Sequence, residues 1–168
     1  MQKQMKNTDH ILKVSGFKNK SEKILKMETF CLDDLMDEMY IFVKTELQKK
    51  GKANVGVEIL KYSSLQKCWV HTDRVRLRQI FQNLLDNAVI QTDRGYIFFG
   101  YHTTATNIIS FFVDDTGIGM YNDYKLGLSI AEGLVQQMGG EMEVRPADDA
   151  GVSVHFNIVC QPCEIFEN

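Results

Sequence analysis

Long apolar runs are missing from this sequence. No stretch approaches the roughly 18 consecutive apolar residues that a membrane-crossing helix needs, so no segment reads as a span. Proline is scarce, with only Pro146 and Pro162, both late, and there is no internal repeat or low-complexity tract to divide the chain. The four cysteines, Cys31, Cys68, Cys160 and Cys163, are too few and too scattered for a disulfide scaffold in 168 residues. A reducing, cytoplasmic setting is therefore expected. A surplus of either charge is also lacking. Nineteen basic against 22 acidic residues leave a formal net charge of −3, which gives no reason to expect a nucleic-acid partner. The first residues, "MQKQMKNTDHILKV", carry lysines but no apolar core or small-residue cleavage site, so they are not read as a signal peptide.

What is present is a chain of one domain's length with 44% apolar residues, enough for a sizeable core. Residues 1–26 hold seven lysines against Asp9 and Glu22, and few apolar residues. Residues 1–24 accordingly read as a linker or loose helical end, 25–160 as the folded domain and 161–168 as a tail. "LKMETF" reads as a short strand by alternation of Leu25, Met27 and Thr29. In "DDLMDEMYIFVKTELQKK" the residues Leu35, Met36, Met39, Phe42, Val43 and Leu47 recur at helical spacing, with acids in the first turn and lysines in the last. "NVGVEILKY" and "CWVHT" are strand-like. A second helix is expected from about Asp73 to Gln91 on the stripe Leu77, Ile80, Phe81, Leu84, Leu85 and Ala88. "GYIFFGYH" and "NIISFFVDD" suggest an antiparallel pair, apolar enough that both faces are at least partly covered. A third helix from Leu126 to Met138 ends at Gly139 and Gly140, and "EMEVR" and "VSVHFNIV" complete the sheet. Strands in pairs with helices between them imply an α+β layered fold with helices on one face of the sheet.

Three short stretches carry candidate chemistry. Asn83 and Asn87 stand four apart and so share a helix face, beside the apolar stripe. An amide carbonyl can ligate Mg²⁺ without adding charge, although such asparagines also cap or bridge backbone. Asp115 ends an apolar strand and is followed by Gly117 and Gly119; a carboxylate there can accept from an exocyclic amine such as that of adenine, and the glycines permit close approach to a flat ring. Gly127 and Leu128 stand near the start of the third helix, where free amides and the positive end of the dipole favour phosphate. Each signal alone is weak.

Together, "RLRQIFQNLLDNAVIQT", "VDDTGIGM" and "LGLSIAEGLVQQMGGEMEV" resemble, in order, the N, G1 and G2 boxes of the ATP-binding domain of sensor histidine kinases, within the gyrase, Hsp90, histidine kinase and MutL ATPase superfamily. "ILKVSGFKNKSEKILKMETFCLDDLMDEM" resembles the junction from the dimerisation helix. The resemblance implies a Bergerat-type two-layer α/β sandwich, with a mixed, mostly antiparallel sheet. It also implies ATP and Mg²⁺ as ligands, with Mg²⁺ on Asn87, adenine on Asp115 with Gly117 and Gly119, and phosphate near Gly127. Asn83 falls where hydrolytic members of the superfamily hold a glutamate; an amide cannot take a proton from water, which favours phosphoryl transfer over hydrolysis. The implied partners are a histidine phosphoacceptor and dimerisation domain and a response regulator downstream. The implied setting is the cytoplasmic part of a sensor, without membrane insertion of this chain.

Four departures stand against that pattern. Ile90 and Gln91 occupy positions where the family places a lysine and an aromatic. Asp123 and Lys125 stand where two glycines are usual; Lys125 could partly replace the missing cation. Only seven residues separate Gly119 from Gly127, too few for the family's lid. None of His10, His71, His102 and His155 is followed by the proline of a phosphoacceptor segment, so the acceptor must come from elsewhere and no residue is assigned as catalytic. An alternative reading is thus a degenerate, nucleotide-free module acting by protein–protein contact. The C-x-x-C of Cys160 and Cys163 follows the last strand rather than opening a helix, which argues against a redox site. Tyr121 and Tyr124 flank the short loop, as surface-turn residues or as covers for a base.

Overall fold

Eleven elements follow one another in the computed structural model, which describes residues 24–62, 67–105, 107–119, 124–147 and 150–163. They are β1 (Glu28–Cys31), α1 (Leu32–Lys49), β2 (Val55–Leu60), β3 (Trp69–Thr72), α2 (Arg74–Gln91), β4 (Gly95–Ala105), β5 (Ile108–Asp115), α3 (Tyr124–Gln137), β6 (Met142–Pro146), β7 (Val152–Val159) and β8 (Gln161–Cys163). The main sheet has the order β2-β4-β5-β7-β6; β2 runs parallel to β4 and every other pair is antiparallel. This is the mixed, mostly antiparallel α+β sandwich that the sequence implies.

Periodicity decides which faces meet. Every second residue of β7, Val152, Val154, Phe156 and Ile158, is buried, as are Ile97, Phe99 and Tyr101 of β4. The whole expected stripe of α2 is buried against them, beside Leu35, Met36, Met39, Val43 and Leu47 of α1 and Ala131 and Val135 of α3. Phe81 sits at the middle of this layer, its ring 6.1, 5.6 and 5.5 Å from those of Phe99, Phe111 and Phe156. On the opposite face of the sheet, Phe98 and Phe112 pack ring to ring at 4.9 Å, while Tyr96, His102 and His155 are exposed. On that side the Phe112 ring also stacks on His155, with centroids 6.2 Å apart.

The strands do not all join one sheet. β1, β3 and β8 form a separate antiparallel sheet in the order β1-β3-β8. Its strand β1 is paired with β3 only from Glu28 to Cys31; Phe30 and Cys31 are buried and Met27 and Thr29 exposed, while Leu25, ahead of the strand, is half-buried against the core. Residues 161–163, expected as the start of a tail, instead pair with Trp69, Val70 and His71 as β8. Residues 1–23 of the expected linker lie outside the described residues. Among the described residues no helix is long and apolar enough to cross a membrane.

Candidate functional site

The helix that carries both candidate asparagines is fixed at its start by Asp73. The Asp73 side chain caps α2 by accepting from the Arg76 backbone N–H at 3.0 Å, accepts from the Lys26 N–H at 2.9 Å, and lies 3.4 Å from the Arg76 guanidinium. That buried guanidinium also donates to the Gln137 side-chain carbonyl, so the first turn of α2 is tied to the last turn of α3. With its start so held, α2 presents Asn83 and Asn87 on one face, one turn apart.

The two asparagines have different surroundings. Asn83 is half-buried and its amide donates to the Gln79 carbonyl at 2.9 Å, the backbone-bridging arrangement weighed from the sequence. Asn87 is 8% exposed and lies against Gly127 in the first turn of α3. A Cβ at Gly127 would stand 2.7 Å from Asn87 Nδ2 and 3.0 Å from Oδ1, so only a glycine lets α3 start this close to α2. Leu128, half-buried, packs onto the core beside it. Lys125 is exposed, one residue into α3.

Asp115 closes β5, paired with Ile97 on one side and Val152 on the other, and is 2% exposed. Its Oδ1 accepts from the Gly117 N–H at 2.9 Å, which turns the chain sharply after the strand. Gly117 passes so near α2 that a Cβ would lie 2.6 Å from the Gln91 carbonyl oxygen, and the next amide, Ile118, donates to that same oxygen at 3.2 Å. Gly119 follows with a φ of +89°. The structure thus brings Asn87 to Gly127 and Asp115 to Gly117, and joins the two pairs through the last turn of α2.

The departing residues lie in different surroundings. Gln91 is buried and belongs to the support of the turn, whereas Ile90 is 54% exposed. Asp123 and Tyr121 lie outside the described residues, as does His10. His71 faces Thr29, with Nδ1 3.0 Å from its hydroxyl, and His155 faces Ser153 at 2.9 Å; both sit on sheets with protein partners. Cys163 lies within β8, and Cys160, in the step between β7 and β8, is buried, so the C-x-x-C leads into a strand and not a helix. On α2, partial desolvation of its carboxyl and the nearby Glu46 hold Asp86 above the usual range although its side chain is exposed, with Lys50 opposing.

Two residues were not singled out in the sequence. Thr92, fully buried at the end of α2, has a hydroxyl with no hydrogen-bond partner among the described residues. Lys52 reaches the same turn from the loop after α1. The threonine stands in "NAVIQT" and could have been found there; nothing in the sequence marks the lysine.

Taken as a donor set, these groups fit a nucleotide. A buried carboxylate at a strand end suits an exocyclic amine, and a helix start suits phosphate. No group of three or more His, Cys, Asp or Glu side chains among the described residues could hold a metal ion. The neutral amide of Asn87 would hold Mg²⁺ only together with phosphate oxygens and water.

A family model described as "Histidine kinase-, DNA gyrase B-, and HSP90-like ATPase" matches residues 72–162. "Autoinducer 2 sensor kinase/phosphatase LuxQ" of Vibrio vulnificus (strain YJ016) is 28% identical over 170 residues, covering 85% of this chain and 19% of its own length. "Aerobic respiration control sensor protein ArcB homolog" of Haemophilus influenzae is 36% identical over 92 residues, covering 42% of this chain and 28% of its own. The matches therefore span only 19% and 28% of the length of these relatives. Among solved structures, full-length ShkA in complex with AMPPNP superposes with a TM-score of 0.73 at 23% identity, covering 85% of this chain and 33% of that one. The nucleotide-free catalytic domain of the histidine kinase ThkA gives 0.66 at 22%, covering 80% and 95%.

Proposed function

The chain belongs to the histidine kinase-, DNA gyrase B-, and HSP90-like ATPase family, and from that premise we propose that it binds ATP as the nucleotide-binding part of a two-component sensor histidine kinase. The γ-phosphoryl passes to a histidine on a separate phosphoacceptor and dimerisation domain, and from there to a response regulator. Asp115 reads the adenine amine, with Gly117 and Gly119 lying along the ring. The amides of the first turn of α3, around Gly127 and Leu128, receive phosphate, and Lys125 adds positive charge at their edge. Asn87 offers its carbonyl to Mg²⁺ carried in on the phosphates. Asn83 supplies no base for water, so transfer is favoured over hydrolysis.

The observation that carries this reading is the contact of Asn87 with Gly127, which sets the metal-ligating amide beside a helix start while Asp115 lies buried on the other side of the same turn. A second reading has its own support. Ile118 is 63% and Leu126 72% exposed at the two ends of the short loop, as is Ile90 nearby, and an apolar rim of this kind suits contact with another protein. In that reading the fold is kept as a binding module, with nucleotide affinity and transfer impaired for want of a lid to exclude water.

Calorimetric titration of the chain with ADP and a non-hydrolysable ATP analogue, with and without Mg²⁺, separates the two. Micromolar binding that depends on Mg²⁺ and is lost in Asp115→Asn is the expected result. Absence of heat and of any thermal shift at millimolar nucleotide would leave the binding module.

A further inference from the structure

The last four carbonyls of an α-helix have no partner within it, and at a functional turn the question is what satisfies them. In α2 those carbonyls belong to Ala88, Val89, Ile90 and Gln91. The Thr92 N–H donates to Ala88 at 3.0 Å. The Ile118 N–H, from the loop after Asp115, donates to Gln91 at 3.2 Å. The two between are taken by one side chain: Lys52 Nζ donates to Val89 at 2.7 Å and to Ile90 at 2.9 Å. Its third contact is Asp93 Oδ1 at 3.0 Å.

An ammonium has three protons, and here each has an acceptor. Lys52 is therefore not a stand-in for the lysine whose place Ile90 takes; its charge is directed at the negative end of the helix. Nor is it a loosely held surface lysine. Its side chain is only 16% exposed, and its backbone is pinned by donation to the Leu47 carbonyl at 2.9 Å and acceptance from Val55 at 3.3 Å. α1, through its closing turn, thus grips the end of the helix whose final carbonyl holds the Asp115 loop.

The geometry points to Lys52 as a positioning residue of the nucleotide site, one that fixes the end of α2 so that the Gln91 carbonyl stays under Ile118 and Gly117. The inference rests on the nucleotide reading above. It touches no ligand itself: its effect runs through two carbonyls, one turn and one loop amide. Removing the amine leaves two carbonyls to find water or new partners, and the turn must shift to let them. The Ile118 amide then loses its fixed acceptor, and the backbone around Asp115 becomes less well placed for a base.

The test uses the full chain, ADP with Mg²⁺ as probe, and amide hydrogen exchange by NMR as a second readout. Lys52→Met is expected to weaken ADP binding about fivefold and to speed exchange at Ile118 by a similar factor, in keeping with loss of one charge-assisted cap. Lys52→Arg restores both, because a guanidinium still donates to the carbonyls. Lys49→Met removes a more exposed lysine of α1, paired with Glu46 at 2.6 Å, and leaves both readouts as in the parent. If Lys52→Met does not fold, Lys52→Leu, which likewise has no donor, is read in the same way. Unchanged ADP affinity and unchanged Ile118 protection in a folded Lys52 variant that lacks a donor overturn the inference. If the parent chain itself binds no ADP, the nucleotide reading falls, and Ile118 exchange still decides whether Lys52 holds the loop.

Discussion

Gly127→Ala places a methyl carbon 2.7 Å from one atom of the Asn87 amide and 3.0 Å from another, a distance that packing does not tolerate without movement. Asn87 is buried, so it cannot swing freely into solvent, and α3 must back away from α2 instead. The expected result is a loss of about 1–3 kcal/mol of stability in urea unfolding, together with weaker Mg²⁺-dependent nucleotide binding. Gly133, in the same helix, has open space where its Cβ would be, so Gly133→Ala is the matched control and should stabilise slightly. Equal effects of the two substitutions would show that close approach at Gly127 is not what the glycine provides. At this scale much of the candidate site was legible, though not from any one signal. Asn87, Asp115, Gly117 and Gly127 are each weak alone, and it is their order along the chain, resembling the family's boxes, that draws them together. Asn83 was readable only as two alternatives, and its bond to Gln79 is the backbone one. Lys52 was not readable at all: its partners, Val89, Ile90 and Asp93, are far away in sequence, and a lysine in a loop has no pattern that distinguishes it.

Among the elements, α2 does most to assemble the site, and each of its ends is held by a charged side chain from outside or just before it. At the start, Asp73 is both cap and counter-ion, and Asp73 and Arg76 are both buried. Asp73→Ala therefore does more than remove a cap worth about 1 kcal/mol; it strips a buried guanidinium of its carboxylate, for a total of about 3 kcal/mol or more. Asp73→Asn keeps an oxygen for the Arg76 N–H and should cost clearly less. Urea midpoints of the two variants check this: equal losses would mean that the cap is worth nothing beyond the ion pair, and an Asn variant as stable as the parent would mean that the ion pair contributes nothing. The three helices were legible because their apolar stripes and caps are local. The sheet was legible only in part. β4 and β5 form a hairpin that neighbouring residues dictate, but the pairing of β1 with β3 and of β3 with β8, and the parallel pairing of β2 with β4, join segments distant in sequence. Short strands such as Trp69–Thr72 carry too few residues for alternation to say which sheet they enter.

For the molecule as a whole, Phe81 is where the layers meet, since its ring reaches β4, β5 and β7 from the middle of α2. The same helix bears Asn87 on its next turns, so core packing and site geometry share one rigid body. Phe81→Ala is expected to cost about 3–5 kcal/mol, a large part of the 5–15 kcal/mol typical of a domain. Phe81→Leu, which keeps most of the volume, should leave a folded protein with a lower Tm. Saturating ADP at about a hundred times its Kd adds about 2.7 kcal/mol to any folded form that binds it, because ligand binds only the native state. If the core merely supports the site, Phe81→Leu and the parent chain gain the same increment, and their affinities agree. If the mutant gains less, packing around Phe81 reaches through α2 to Asn87 and sets its distance from Gly127. Thermal unfolding of both proteins across an ADP titration distinguishes the two. Equal increments are expected, because the turn that joins Asn87 to Gly127 and Gln91 to Ile118 is held by its own hydrogen bonds at the far end of the helix from the Asp73 cap.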